Sequence, residues 1–284
     1  MSDITELNNK ILLLPVTSDF IFKLIFGDQR NVDILADFLK SVLNIPDEEY
    51  DTITIIDPYV KKEATDDKYS VLDVKLHTKS KNIIHIEIQL WPLPELKERS
   101  IYQQSKMITE QMSSGENWKT IKRVVSIIIT NHDLIKEDDD YHHQFRYRTK
   151  YGVEFTDLKE INTLELSKLP ETTENTDLWY WMKFIKSNDG EVLDMIAERK
   201  PQMKKAVGFL KELSADERTR MLYEEREKAR RDWVSLMGGA RNEGRNEGRM
   251  GERMDIARNL INMNMPMDTI IKATGLTQEE IESL

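Results

Sequence analysis

The alternation of hydrophobic and polar positions divides the chain into an amino-terminal part with strand and helix patterns and a carboxyl-terminal part with helix patterns alone. Residues 16–44 have a mostly helical apolar spacing that ends at Pro46, and Asp19 is positioned to cap this helix. Three strand patterns follow, at residues 52–63, 69–78 and 82–90. A helical pattern then covers residues 95–114.

Beyond this helix, the segment VVSIIIT at 124–130 is a continuous apolar run rich in β-branched residues, which predicts a buried central strand. Later patterns predict strands at 143–151 and 159–166, a helix at 177–187, and helices alone from residue 190 onward. Strands mixed with helices at this spacing indicate an α/β fold, with a central mixed sheet flanked by helices. We place a boundary near residue 188, which gives an α/β domain at 1–187 and an all-helical region at 188–284.

The second and third strand patterns carry the candidate chemistry. If Lys79–Lys81 forms a three-residue turn, Asp73 lies opposite Glu87 and Lys75 lies opposite His85. Strand alternation then places five polar side chains on one face: Asp73, Lys75, His85, Glu87 and Gln89. The other face is apolar along both strands.

Two carboxylates directly opposite on neighbouring strands have Cβ atoms roughly 5 Å apart and repel each other unless a cation lies between them. Mg²⁺ prefers oxygen ligands and keeps positions for water and phosphate. The pair Asp73 and Glu87 could therefore hold a metal that polarises a phosphoryl oxygen and activates water. The alternative is that these polar residues are simply the solvent face of a half-exposed hairpin, with a lysine neutralising the acids.

Composition narrows the class of protein. The 284 residues are 39% hydrophobic and 32% charged, with no cysteine and no run of 18 apolar residues. These values predict a cytoplasmic protein with a real core and no membrane span, disulfide or cysteine-bound zinc. The net charge of −10 argues against a protein that coats nucleic acid non-specifically, although an enzyme needs only a local basic groove.

The ordered set of motifs resembles a known family. The matching pieces are SDFIFKLIFGD at 18–28, LDVKLHTKSKNIIHIEIQ at 72–89, RSIYQQSKMITEQMSSGENW at 99–118, and VVSIIIT. Together they resemble the Rpn family of recombination-promoting nucleases, or putative transposases, within the PD-(D/E)xK nuclease superfamily. The resemblance implies a restriction-endonuclease-like core, Mg²⁺ or another divalent cation as cofactor, DNA as substrate, and phosphodiester hydrolysis that promotes recombination.

By this resemblance, Asp73 and Glu87 are the metal ligands and Gln89 is the third catalytic residue. Gln89 stands where the superfamily usually has lysine, and it can position water but carries no charge. Lys75 or His85, on the same face, could supply the missing positive charge. Asp19 and Lys23 match the family's first helix and are auxiliary candidates.

Candidate DNA contacts lie on the helix at 95–114 and on the strand at 143–151. Arg99 and Tyr102 stand at positions that match the family, and Lys106 lies one turn or more further along. Arg99 could bind phosphate, or could only pair with a neighbouring glutamate. The alternating cations Arg146, Arg148 and Lys150 form either a phosphate track or an edge strand protected by charge.

The carboxyl-terminal region indicates interaction rather than catalysis. Ala240, Gly244 and Gly248 make a small-residue ridge on a helix, or else mark a flexible joint. Thr277 and Glu280 predict a capping box for the last helix. We therefore expect a homo-oligomer formed through these helices. Two other functions stay open: a catalytically weak DNA-binding or regulatory protein, and an interaction scaffold on the same fold.

Overall fold

A six-stranded mixed sheet forms the centre of the structure, a computed structural model that describes residues 12–56 and 74–284. The strands are β1 (Thr54–Ile56), β2 (Val74–His77), β3 (Ile83–Gln89), β4 (Val124–Thr130), β5 (His142–Arg148) and β6 (Glu154–Glu165). Their order is β1-β2-β3-β4-β6-β5. The strands β3, β4 and β6 are parallel, while β1–β2, β2–β3 and β5–β6 are antiparallel pairs. The predicted mixed sheet is confirmed.

Helices precede, interrupt and follow the sheet. They are α1 (Asp19–Phe26), α2 (Val32–Val42), α3 (Leu96–Thr109), α4 (Asp177–Lys186), α5 (Gly190–Ala197), α6 (Pro201–Ala215), α7 (Glu217–Asn262), α8 (Met267–Thr274) and α9 (Gln278–Glu282). The prediction of one continuous helix at 16–44 is wrong. The first helix ends at Gly27, and a short 3₁₀ helix, Gln29–Asn31, separates it from α2. Asp19 is the first helical residue, and the capping position belongs to Ser18.

The β2–β3 hairpin has the predicted register. Lys75 pairs with His85, and the described ladder ends at Val74 opposite Ile86. Lys81 closes the turn in the left-handed region at φ 67°, and its N–H donates to the carbonyl of Thr78. A three-residue turn with its last residue in this conformation is a common hairpin connection.

The two faces of the hairpin differ as the alternation predicted, but both are covered. The apolar side chains are buried: Val74, Leu76, Ile84, Ile86 and Ile88. On the other face, Met107 of α3 packs against Ile83 and Val124, so α3 lies over the sheet. Among the described polar residues of this face, Lys75, His85 and Glu87 are therefore inside the protein.

The chain divides into two compact units, residues 1–220 and 221–284. The expected boundary near residue 188 lies inside the first unit, because α5 contacts α4 and α6 contacts α2. In the second unit α8 and α9 close a small core of Ala257, Ile270, Leu276 and Ile281. Thr277 and Glu280 form the predicted capping box there. No helix in the described ranges is long and apolar enough to cross a membrane.

Candidate active site

Helix α3 supplies the second wall of the candidate site. Its residues Arg99 and Glu110 contact Glu87 and Lys75 of the hairpin. On its other side, Ser105 accepts a hydrogen bond from Lys159 of β6, so the helix lies across β4 between β3 and β6. The helical spacing that puts Arg99 and Glu110 on one face therefore delivers both to the polar face of the hairpin.

Glu87 is a buried carboxylate with an incomplete set of partners. Its side chain is 3% exposed, and Oε1 accepts a hydrogen bond from the Arg99 guanidinium. Its Oε2 is buried and has no hydrogen-bond partner among the described residues. A buried carboxylate oxygen is costly to leave without a donor or a cation, so this atom suits a metal ion.

Lys75, which pairs with His85 across the hairpin, is also largely buried. Its ammonium is 3.8 Å from Oε2 of Glu110, whose own side chain is 20% exposed. The ammonium of Lys75 is thus a buried group on the same face as the Glu87 carboxylate. The idea that this face is only solvated is wrong, since Lys75, His85 and Glu87 are all buried.

His85 lies directly opposite Lys75 and is completely buried. Neither ring nitrogen finds a hydrogen-bond partner in the part of the chain that the structure describes. Burial, with a smaller contribution from the Lys75 charge, lowers the pKa of His85 to about 3. The imidazole is therefore neutral near pH 7, which makes Lys75 the better candidate for the positive charge on this face.

The remaining predicted catalytic residues differ in what the structure says of them. Asp73 lies outside the described residues. Gln89 ends β3, is half-buried, and donates from its amide nitrogen to the carbonyl of Trp91. Asp19 is exposed at the start of α1, and Lys23 is half-buried on the same helix.

The candidate DNA contacts are mostly engaged within the protein. Arg99 pairs with Glu87, not with the adjacent glutamates that the sequence offered as partners. Tyr102 is 43% exposed, and Lys106 is half-buried on the same helix. Arg146 pairs with Glu160 and Glu154, and Arg148 pairs with Glu154. Exposed Lys150 lies over the ring of Tyr151.

These pairs favour the edge-strand interpretation of β5 over a phosphate track. The strand lies at the edge of the sheet, and its alternation is interrupted by register shifts between Arg146 and Arg148. Charged side chains on an edge strand discourage pairing with another chain.

Sequence reasoning missed two polar contributions of α3. Glu110, which contacts Lys75, was not among the candidate residues. Gln104 donates from its amide nitrogen to Oγ of Ser126 and to the carbonyls of Val124 and Glu160, which anchors α3 across β4 and β6. A buried glutamine within a helix, facing a serine in an otherwise apolar strand, was the available signal.

A second group of possible metal ligands lies after β4. Oxygens of Asp138 and Asp140 and a nitrogen of His143 lie within 4.8 Å of one another. His143 Nε2 is 2.8 Å from Asp138, and Nδ1 is 3.4 Å from the buried Glu165, which Lys168 also contacts. In the structure His143 thus contacts two carboxylates, those of Asp138 and Glu165.

Comparison with known proteins agrees with the α/β geometry. The model of the PD-(D/E)XK nuclease family transposases matches residues 16–240. No curated protein and no solved structure matches the chain. The match covers most of the chain, including the sheet, α3 and the buried Glu87 face. The chain belongs to the family of PD-(D/E)XK nuclease family transposases.

Proposed function

We propose that this protein is a metal-dependent DNA endonuclease whose centre is the buried polar face of the β2–β3 hairpin. The observation that carries the proposal is Glu87 Oε2, a buried carboxylate oxygen without a partner among the described residues. Membership in a nuclease family supports hydrolysis of phosphodiester bonds. Asp73 lies outside the described residues, and its position opposite Glu87 stays a prediction from the sequence.

Asp73 and Glu87 are the residues that would hold Mg²⁺ or another divalent cation. The ion would polarise the phosphoryl oxygen and lower the pKa of a bound water. Gln89, at the end of the same strand, would orient water through its amide. Lys75 would supply the charge that the usual lysine provides elsewhere in the superfamily, because His85 is neutral.

Arg99 gives the site two states. In the structure its guanidinium pairs with Glu87, which compensates the buried negative charge. With a cation on Glu87, this compensation is no longer needed, and Arg99 is 42% exposed and long enough to turn toward a phosphate. We propose that Arg99 moves from Glu87 to the DNA backbone when the site is loaded.

Cleavage of supercoiled plasmid in Mg²⁺ tests the proposal. The variants Asp73→Asn and Glu87→Gln should lower the cleavage rate by at least about a hundredfold, since each removes a ligand charge. The matched control is Glu98→Gln, the same substitution at an exposed position of α3. It should cut like the wild type. Equal cleavage by all four proteins, or none by the wild type in Mg²⁺ or Mn²⁺, would overturn the proposal.

The second candidate function is a DNA-binding or regulatory protein without turnover. The ion pair between Arg99 and Glu87 favours it, because that pair occupies a metal-ligand position. This function would be supported if the wild type bound plasmid but did not cut it in any divalent cation. A role in recombination, self-association through the carboxyl-terminal helices and a cytoplasmic location stay predictions.

A further inference from the structure

An exposed aromatic surface lies beside α3, on the side away from Glu87. It belongs to the β5–β6 hairpin and to the first half of α3. Its large side chains are Phe145, Tyr147 and Ile101, exposed by 44, 51 and 53%. Exposed apolar side chains gathered on one surface usually mark a binding site.

A small open cavity of about 150 Å³ is set into this surface. Its walls include Ile101, Phe145 and Tyr147, and three charged residues also line it: Lys159, Arg146 and Glu160, of which the last two form an ion pair with each other. The Lys159 ammonium donates to Oγ of Ser105 at 2.9 Å and forms no ion pair with any carboxylate of the described residues. Partial burial lowers the pKa of this ammonium. The cavity thus combines aromatic walls with Lys159, a cation that no described carboxylate neutralises, beside the neutralised pair of Arg146 and Glu160.

The local charge favours nucleic acid over a second copy of the chain. In residues 144–161, Arg146 and Arg148 are paired with Glu154 and Glu160, which leaves Lys150 and Lys159 against Asp157, although the whole chain has a net charge of −10. A two-fold symmetric dimer formed through this surface would bring Lys150 and Lys159 against the same basic surface of the partner. A phosphate would instead compensate them.

We propose that the β5–β6 hairpin and Ile101 of α3 hold an unpaired nucleotide of a single-stranded DNA segment, with the base on Phe145 or Tyr147 and a phosphate on Lys159. Base stacking on aromatic side chains tolerates every sequence, because each base has a π face. In a duplex the bases are stacked on one another and cannot reach the surface. The protein therefore prefers DNA with an unpaired segment beside the site of cleavage. The choice of DNA rests on the proposed function.

Fluorescence anisotropy with a labelled oligothymidylate, compared with a duplex of equal length, tests this inference in EDTA, where no metal-dependent cleavage occurs. Wild type should bind the single strand more tightly than the duplex. Tyr147→Ala and Lys159→Gln should each weaken single-strand binding by roughly tenfold and duplex binding much less. Trp118→Ala, which removes an aromatic side chain that is 77% exposed elsewhere, is the control and should change neither affinity.

Equal affinity of the wild type for both DNAs, or unchanged single-strand affinity in both variants, overturns the inference. So does a wild-type dimer that Tyr147→Ala makes monomeric in sedimentation while DNA affinity is unchanged, since that result assigns the surface to a second copy. The plasmid assay separates this inference from the proposed function. If the protein binds single strands but never cuts plasmid, the inference stands and the proposed function fails. If it cuts plasmid without preferring single strands, the inference fails.

Discussion

At the scale of single residues, two side chains that face each other across the β2–β3 hairpin differ in their partners. Lys75 pairs with Glu110, whereas His85 directly opposite is sealed from water without a hydrogen bond among the described residues. Burial disfavours the charged imidazole and keeps it neutral. The sequence could place both residues on one face, but it could not show that α3 covers that face.

The buried His85 predicts a stability that falls in acid. The unfolded chain binds a proton on this residue below its ordinary pKa of 6.5, whereas the folded protein does so only near its lowered pKa of about 3. Stability should therefore be lost as the pH falls from 6.5 toward 3, by about 2 kcal/mol at pH 5 from this residue alone.

Urea unfolding in EDTA at about pH 7.5 and about pH 5 measures this effect. The His85→Leu variant should lose less unfolding free energy than the wild type between the two pH values, because the proton uptake is removed. The same loss in both proteins would show that His85 is already charged or hydrogen-bonded in the fold.

Lys81 predicts a stabilising substitution in the hairpin turn. Its φ of 67° is unfavourable for a residue with a side chain. Lys81→Gly should raise the free energy of unfolding by about 0.5 to 1 kcal/mol. Lys79→Gly, in the same turn but without a positive φ, should lower it. Thermal unfolding of both variants checks the pair, and destabilisation by Lys81→Gly would contradict the turn geometry.

At the scale of elements, helix α3 converts a polar strand face into a buried site. The face buried against the sheet consists of Leu96, Ser100, Gln103, Gln104 and Met107. Arg99 and Glu110 flank this face on the side of the hairpin, and Ser105 flanks it on the side of β6. Which elements the sides of a helix meet depends on the sheet order, which local sequence does not encode.

The pair between Arg99 and Glu87 predicts a stability that depends on metal. Arg99→Met leaves a buried carboxylate without its cation and should lower the free energy of unfolding in EDTA by about 2 kcal/mol. Saturating Mn²⁺ should recover most of this loss, because the ion replaces the guanidinium. In the double variant Arg99→Met, Glu87→Gln, the loss of unfolding free energy in EDTA and its recovery in Mn²⁺ should both be smaller. An equal loss with and without Mn²⁺ would contradict competition for Glu87.

Helix α7 predicts the effect of removing glycines. A Cβ added at Gly244 or Gly248 meets no described atom within 4 Å. Each glycine costs a helix about 1 kcal/mol relative to alanine, so Gly244→Ala and Gly248→Ala should each stabilise the second unit by about that amount. Circular dichroism during heating of the full chain measures it. Destabilisation by either change would show that another helix packs on this ridge.

At the scale of the whole molecule, the fold class and the hairpin register could be predicted, whereas boundaries and pairings could not. The continuous run at 124–130 identified β4 because a central parallel strand is buried on both faces. The break at Gly27 was missed because the apolar spacing continues across it. From the sequence, Arg99 was expected to pair with a nearby glutamate if it paired at all, because Glu87, twelve residues earlier, comes close only through the tertiary fold.

The central claim is that Glu87 belongs to a metal site on the buried face, and calorimetric titration of the purified protein with Mn²⁺ tests it most directly. Manganese binds the same oxygen ligands as magnesium and gives the stronger signal. We predict saturable binding by the wild type and by Glu98→Gln, and its loss in Glu87→Gln, with the fold of each protein verified by circular dichroism. Binding that is absent from the wild type, or unchanged in Glu87→Gln, would contradict the account.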